Sequence, residues 1–144
     1  MKTSPDGIDF ICAEEGLRLE AYRDVVGVLT IGYGHTGADV KDGQTITKDQ
    51  AEALLAADLV KFEKAVDTAV RNPSQGQFDA MVSLAFNIGV AAFRSSTLVR
   101  KFNQGDHRGA GCEFVKWCRA GGAVNTTLQG RRAREMWTFC KATP

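Results

Sequence analysis

Glu14-Glu15-Gly16-Leu17-Arg18-Leu19-Glu20-Ala21-Tyr22-Arg23-Asp24 carries three glutamates and an aspartate within a short span, and Val25-Val26-Gly27-Val28-Leu29-Thr30-Ile31-Gly32-Tyr33-Gly34-His35-Thr36 follows at once. Such charges are ordinarily solvated, so the informative question is whether one carboxylate lies on an apolar face. Upstream, Ser4 is placed to cap a helix, Pro5 suits its first turn and Asp6 its positive dipole end. Ile8, Ile11 and Cys12 then fall at i, i+3 and i+4, and the next position of that stripe, i+7, is Glu15. Asp9 and Glu14 point elsewhere, Glu14 toward solvent, and Gly16 is a natural stop. The expectation is a helix that ends by carrying a carboxyl along its apolar face.

Downstream, over 19–35, the pattern becomes strand-like and is punctuated by Gly27, Gly32 and Gly34, which reads as a small antiparallel sheet with tight turns. A loop is expected over 37–45. Thr47-Lys48-Asp49-Gln50 has the form of a capping box. It opens a long amphipathic helix with Ala51, Leu54, Leu55, Leu59, Phe62 and Val66 on one side, ending near Asn72-Pro73. Ser74 caps the next helix, whose apolar face of Phe78, Met81, Val82, Ala85 and Phe86 is stopped by Gly89. Further helices are expected over 97–104, 106–119 and, after a loop over 120–130, from Arg131 through Lys141. The fold class is therefore α+β, in one domain over 1–144. A small β-containing lobe over about 15–50 and a helical lobe over about 70–144, packed with the N-terminal helix, are joined by the long helix. Two lobes so joined would leave a cleft for a ligand.

Composition narrows the function classes. With 144 residues the chain can bury a core without metals or disulfides, and a net charge of +1 gives no nucleic-acid footprint. Arg131, Arg132, Arg134 and Lys141 crowd one end, and a solvated helix face is the first reading of them. No apolar run reaches the length of a membrane span, and the N-terminal apolar patch is closed too early by Glu14 and Glu15 for a secretory signal. A monomer made in a cytoplasm, without stable membrane insertion, is expected. Cys12, Cys112, Cys118 and Cys140 show no C-x-x-C spacing and no His at metal-ligand spacing. They are expected to be small buried hydrophobes, with a disulfide among the three C-terminal ones left open. No metal or cofactor is expected.

On the stripe, Glu15 should be partly buried, which raises a carboxyl's pKa and suits a general acid. Asp24 sits in the turn before Gly27, where aspartate is common for turn reasons alone. The two together make a pair of carboxyls in unlike environments, the minimum equipment for glycosidic cleavage but a weak signal by itself. Thr30 on the neighbouring strand could aim a hydroxyl at the same site. His35 is expected to be a structural hydrogen-bonding residue, and helix-borne Trp117 and Trp137 are expected in the core more than on a sugar.

The same residues resemble a known family. Glu15-Gly16, Tyr22-Arg23-Asp24 and Thr30-Ile31-Gly32-Tyr33-Gly34-His35, at these spacings, are similar to the signature of the phage-type lysozymes, glycoside hydrolases that include the endolysins of lambdoid and T-even phages. Thr47-Lys48-Asp49-Gln50-Ala51, Gln77-Phe78-Asp79-Ala80, Phe86-Asn87-Ile88-Gly89 and Gly130-Arg131-Arg132 extend the likeness over nearly the whole chain.

The resemblance implies a lysozyme-like fold and an endolysin that hydrolyses the β-1,4 bond between N-acetylmuramic acid and N-acetylglucosamine in peptidoglycan. Glu15 would be the general acid, Asp24 the second carboxylate and Thr30 a residue that positions water, with inversion at the anomeric carbon. Asn87 would lie in the sugar-binding stretch, where a helix cap explains it equally well. Arg131 and Arg134 would contact substrate, and which of Arg131, Arg132 and Arg134 bonds Glu15 stays open. The partner would be the glycan strand, reached in the periplasm after a holin-type lesion releases the protein from the host cytoplasm. A lytic transglycosylase and a non-catalytic wall-binding protein are the rival readings.

Overall fold

A computed structural model describes residues 1–141. Its element order is α1 (Pro5–Glu15), β1 (Arg18–Arg23), β2 (Leu29–Gly32), β3 (His35–Thr36), α2 (Lys48–Ala69), α3 (Gln75–Ile88), α4 (Val90–Arg94), α5 (Thr97–Asn103), α6 (His107–Glu113), a 3-10 turn (Phe114–Lys116), β4 (Arg119–Ala120), β5 (Ala123–Val124) and α7 (Thr126–Lys141). This is the expected α+β class. Two compact units are present: a small unit, Ile8–Val60, and a helical unit made of Met1–Gly7 and the chain from Lys61 onward. Their boundaries fall inside α1 and α2.

The N-terminal helix signals work as expected, with Ser4 and Gly7 in the helical unit and α1 from Ile8 onward in the small one. The Ser4 hydroxyl accepts from the Gly7 amide at 3.1 Å, and α1 closes with the Gly16 amide donating to the Cys12 carbonyl at 3.0 Å. Three antiparallel strands follow in the order β1-β2-β3, with Tyr22 opposite Thr30, Arg23 opposite Leu29, and Ile31 opposite His35. The Thr47 capping box forms in both directions, Gln50 amide to Thr47 hydroxyl at 3.2 Å and Thr47 amide to Gln50 side chain at 2.9 Å. Burial falls on the apolar stripe of α2 through Ala51, Leu55 and Leu59, and on Ile11, Ile31 and Tyr33. Buried Tyr33 lies beside the Cys12 thiol of α1, and burial raises both their pKa values.

In the helical unit, α3 is buried along Gln77–Ala85 and packs chiefly on α7. Ser74 and Gln77 form a reciprocal capping box. Phe139 of α7 meets Phe114 at 5.3 Å and Phe102 at 6.0 Å between ring centroids, closing a core of small helices. At the other end of the unit, buried Glu63 accepts from the Thr3 amide, the Thr3 hydroxyl and Lys2. Desolvation opposes its charge, but those donors outweigh it and hold the carboxyl below its usual value.

Several expectations are corrected here. Gly89 ends α3 and at once precedes α4, a five-residue helix too short to announce itself by periodicity. The helix expected over 106–119 breaks after Glu113 into the 3-10 turn. The expected loop over 120–130 contains a hairpin, β4–β5, turned by Gly121 and Gly122 at φ of 59° and 83°, the left-handed pair that a two-residue hairpin needs. The same segment holds the start of α7, capped by the Asn125 side chain on the Leu128 amide at 3.0 Å. Trp137 is 68% exposed instead of buried, and Cys112 and Cys140 are exposed where buried thiols were expected.

The arginine cluster is not a solvated face either. Arg131 and Arg132 are buried with Glu135, which accepts from Arg131 Nε at 3.1 Å, from Arg132 at 2.9 Å and from the Ser83 hydroxyl at 2.6 Å. Burial pushes the Glu135 carboxyl up, while the two guanidinium groups pull it down. The cluster joins α7 to α3 where both are dry. Replacing Glu135 by Gln leaves two buried cations facing a neutral amide and should cost about 3–5 kcal/mol. Ser83→Ala should cost about 1 kcal/mol. Urea unfolding of both variants checks this, and equal, small losses would mean the cluster carries no stability.

Candidate active site

Glu15, Asp24 and Thr30 all belong to the small unit, each held by a different local device. Glu15 is the last residue of α1 and is half-buried. Glu14 is half-buried as well, so exposure does not separate the two as expected. What separates them is position: Glu15 Oε2 lies 3.4 Å from the point where a side chain on Gly34 would begin. Gly34 has φ of +77° in the turn between β2 and β3. A residue with a Cβ would be strained there by its backbone, while the Cβ itself would meet the carboxylate only at ordinary contact distance.

Asp24 follows β1 and organises the β1–β2 turn. Its Oδ1 accepts from the Val26 amide at 3.0 Å and from the Val28 amide at 2.9 Å. Its own backbone closes the turn, the amide donating to the Val28 carbonyl and the carbonyl accepting from Gly27. Among the described residues, Oδ2 has no such bond, which leaves that oxygen to solvent or a ligand. Thr30 is buried on β2, and its hydroxyl donates to the Val28 carbonyl at 3.0 Å. Val28 thus links the two side chains through opposite sides of its backbone. With its proton engaged, the Thr30 oxygen is an acceptor toward any further partner.

The β2–β3 turn is itself anchored. His35 Nδ1 lies 2.7 Å from Asp58 of α2, and Nε2 lies 2.9 Å from Asp39. Desolvation opposes the charged ring, but the two aspartates outweigh it and raise the His35 pKa above 6.5. His35 is therefore the structural residue that its place after Gly34 suggested. Its two aspartate partners had no local sequence signal, because the turn and α2 bring them in from either side.

The remaining expected residues lie in the helical unit. Asn87 is exposed near the end of α3 and lines a cavity of about 510 Å³ with Ile88, Lys116, Trp117, Arg119 and Leu128. Arg134 is exposed on α7, with its guanidinium folded over Gly130. Arg131 is 5% exposed, and its bonds to Glu135 and Ser83 make it part of the buried cluster.

Two measurements follow from this geometry. Gly34→Ala should lose about 1–2 kcal/mol from the backbone alone, read as a lower urea midpoint. Because the folded state raises the His35 pKa, its contribution is fully present below about pH 6.5 and is lost as pH rises through the folded value. Urea unfolding across pH 5 to 9 should show wild-type protein losing this increment relative to His35→Asn; parallel profiles would refute the linkage.

The phage lysozyme family model matches residues 12–135. An endolysin of Bacillus phage PZA is 44% identical over 147 residues, covering 100% of this chain but only 57% of that protein, so the chain spans little more than half of that relative's length. The endolysin of Salmonella phage P22 is 42% identical and is matched over 98% of its length by 96% of this chain. Among solved structures, the muramidase domain of SpmX from Asticaccaulis excentricus superposes with a TM-score of 0.91 at 38% identity, over 99% of both chains. On this match of sequence and fold, the chain belongs to the phage lysozyme family.

Proposed function

We propose that this chain is a muramidase of the endolysin type, hydrolysing the β-1,4 bond between N-acetylmuramic acid and N-acetylglucosamine in peptidoglycan. The observation that carries the reading is the trio itself: a helix-end carboxyl, a turn carboxylate with one open oxygen and a buried acceptor hydroxyl, all in one small unit of a phage lysozyme chain. Glu15 protonates the leaving glycosidic oxygen. Asp24, fixed through Oδ1 by two backbone amides, uses its other oxygen to hold a water and to stabilise positive charge at the anomeric carbon. Thr30 accepts a hydrogen bond from that water, so the attack comes from the face opposite the leaving group and inverts the configuration. On the helical unit, Asn87 and Arg134 contact glycan, and the exposed face of Trp117 beside Asn87 suits a sugar ring. Arg131 supports the same region of α7 from within.

The setting that fits this chemistry is host lysis, with synthesis in the host cytoplasm and action on the wall after a holin-type membrane lesion. No helix among the described residues is long and apolar enough to cross a membrane. The working form is taken as a monomer.

Digestion of purified peptidoglycan by wild type, Glu15→Gln and Asp24→Asn tests the reading by product mass. Wild type should release reducing-end muropeptides, and Glu15→Gln should be slower by about 10²–10⁴-fold. Anhydro-muramic products would transfer the reaction to the transglycosylase class, and binding without any cleavage would make the chain a wall-binding protein. NMR of the first product should show the α-anomer; a β-anomer would overturn inversion.

A further inference from the structure

We infer that Cys112 and Cys140 form a reversible intramolecular disulfide that staples α6 to α7. The inference stands apart from the proposed muramidase chemistry and uses none of its residues. Cys112 lies on α6 and Cys140 near the end of α7, and both are exposed. The Cys140 sulfur packs directly on α6 at the residue beside Cys112: a Cβ built on Gly111 would come within 2.8 Å of it. Only the missing side chain at Gly111 permits that approach. The two thiols are near enough to act on each other electrostatically: burial and then the Cys112 thiol raise the Cys140 pKa, and Arg108, one turn before Cys112 on α6, opposes them only in part. The other two cysteines differ. Cys12 is half-buried beside Tyr33, and Cys118 is half-buried. A metal centre is the weaker alternative, since structural zinc takes four ligands and no group of three suitable side chains exists among the described residues.

The oxidant is a small-molecule disulfide such as glutathione disulfide. The exposed Cys112 thiolate attacks one of its sulfurs, forming a mixed disulfide and releasing one glutathione thiolate, which takes up a proton. Cys140 then gives up its proton and attacks the Cys112 sulfur, expelling the second glutathione. Two protein thiols are oxidised to one disulfide, and one glutathione disulfide is reduced to two thiols. The closed loop encloses the 3-10 turn, the β4–β5 hairpin and nearly all of α7. A cytoplasm keeps such a pair reduced, and an oxidising compartment closes it.

The test incubates the purified full chain with glutathione disulfide, alkylates it and maps tryptic peptides. Peptides 109–116 and 135–141 should appear joined through Cys112 and Cys140. The melting temperature should rise by roughly 5–10 °C and fall back on adding dithiothreitol. Cys112→Ser and Cys140→Ser should each abolish the joined peptide and the rise, whereas Cys12→Ser should keep both. Reduced melting temperatures of the variants equal to wild type establish that they fold. Separate glutathione adducts on the two cysteines, or a disulfide-linked dimer, would overturn the inference.

Discussion

The small unit is organised around the left-handed β2–β3 turn, against which the Glu15 carboxylate lies. Gly34 holds that left-handed conformation at little cost. That turn is kept from moving by His35, clamped between Asp39 and Asp58 and so fastened to α2. On the other side, buried Tyr33 lies beside Cys12 of α1. Three consecutive residues therefore serve one purpose. Tyr33 packs beside the helix that carries Glu15, Gly34 gives the turn its left-handed conformation, and His35 ties the turn to the long helix.

The hairpin on the opposite side of the sheet uses a different economy. Asp24 spends one oxygen on the amides of Val26 and Val28 and so builds the turn that positions its other oxygen. A residue that shapes its own support loses little precision to loop motion, which suits a group expected to hold a water in place. The exposed valines of this turn then need no packing role, because the aspartate fixes the turn. Thr30 completes the arrangement through the carbonyl of the same Val28.

The helical unit solves a different problem. Its two principal helices, α3 and α7, meet across a dry surface that includes two arginines and a glutamate. Buried charge of this kind costs desolvation, and it is tolerated only when each group is bonded on several sides. Ser83 and the two guanidinium groups do this for Glu135. The outcome is orientation: with Arg131 and Arg132 held inward, Arg134 is left on the exposed side of α7.

The sequence by itself determined whatever short-range stereochemistry controls. The caps at Ser4, Thr47 and Ser74, the stops at Gly16 and Gly89, the three-stranded sheet and the stripe that carries Glu15 follow from contacts a few residues apart. The motif around Glu15, Asp24 and Thr30 was legible for the same reason, since its parts lie within one helix end and one hairpin. Even the β4–β5 turn was written in Gly121-Gly122, although strands of two residues are too short to show alternation. Only the tertiary structure decided which charges are dry. Arg131 and Arg132 read as solvent-facing next to Arg134 because nothing local announces Ser83, forty-eight residues away from Arg131 in the chain, as their neighbour. The exposure of Trp137 and the meeting of Cys140 with Gly111 are likewise set by the roll of α7 on its partners. Burial depends on contacts between distant segments, and a helix pattern states which residues share a face but not which face is covered.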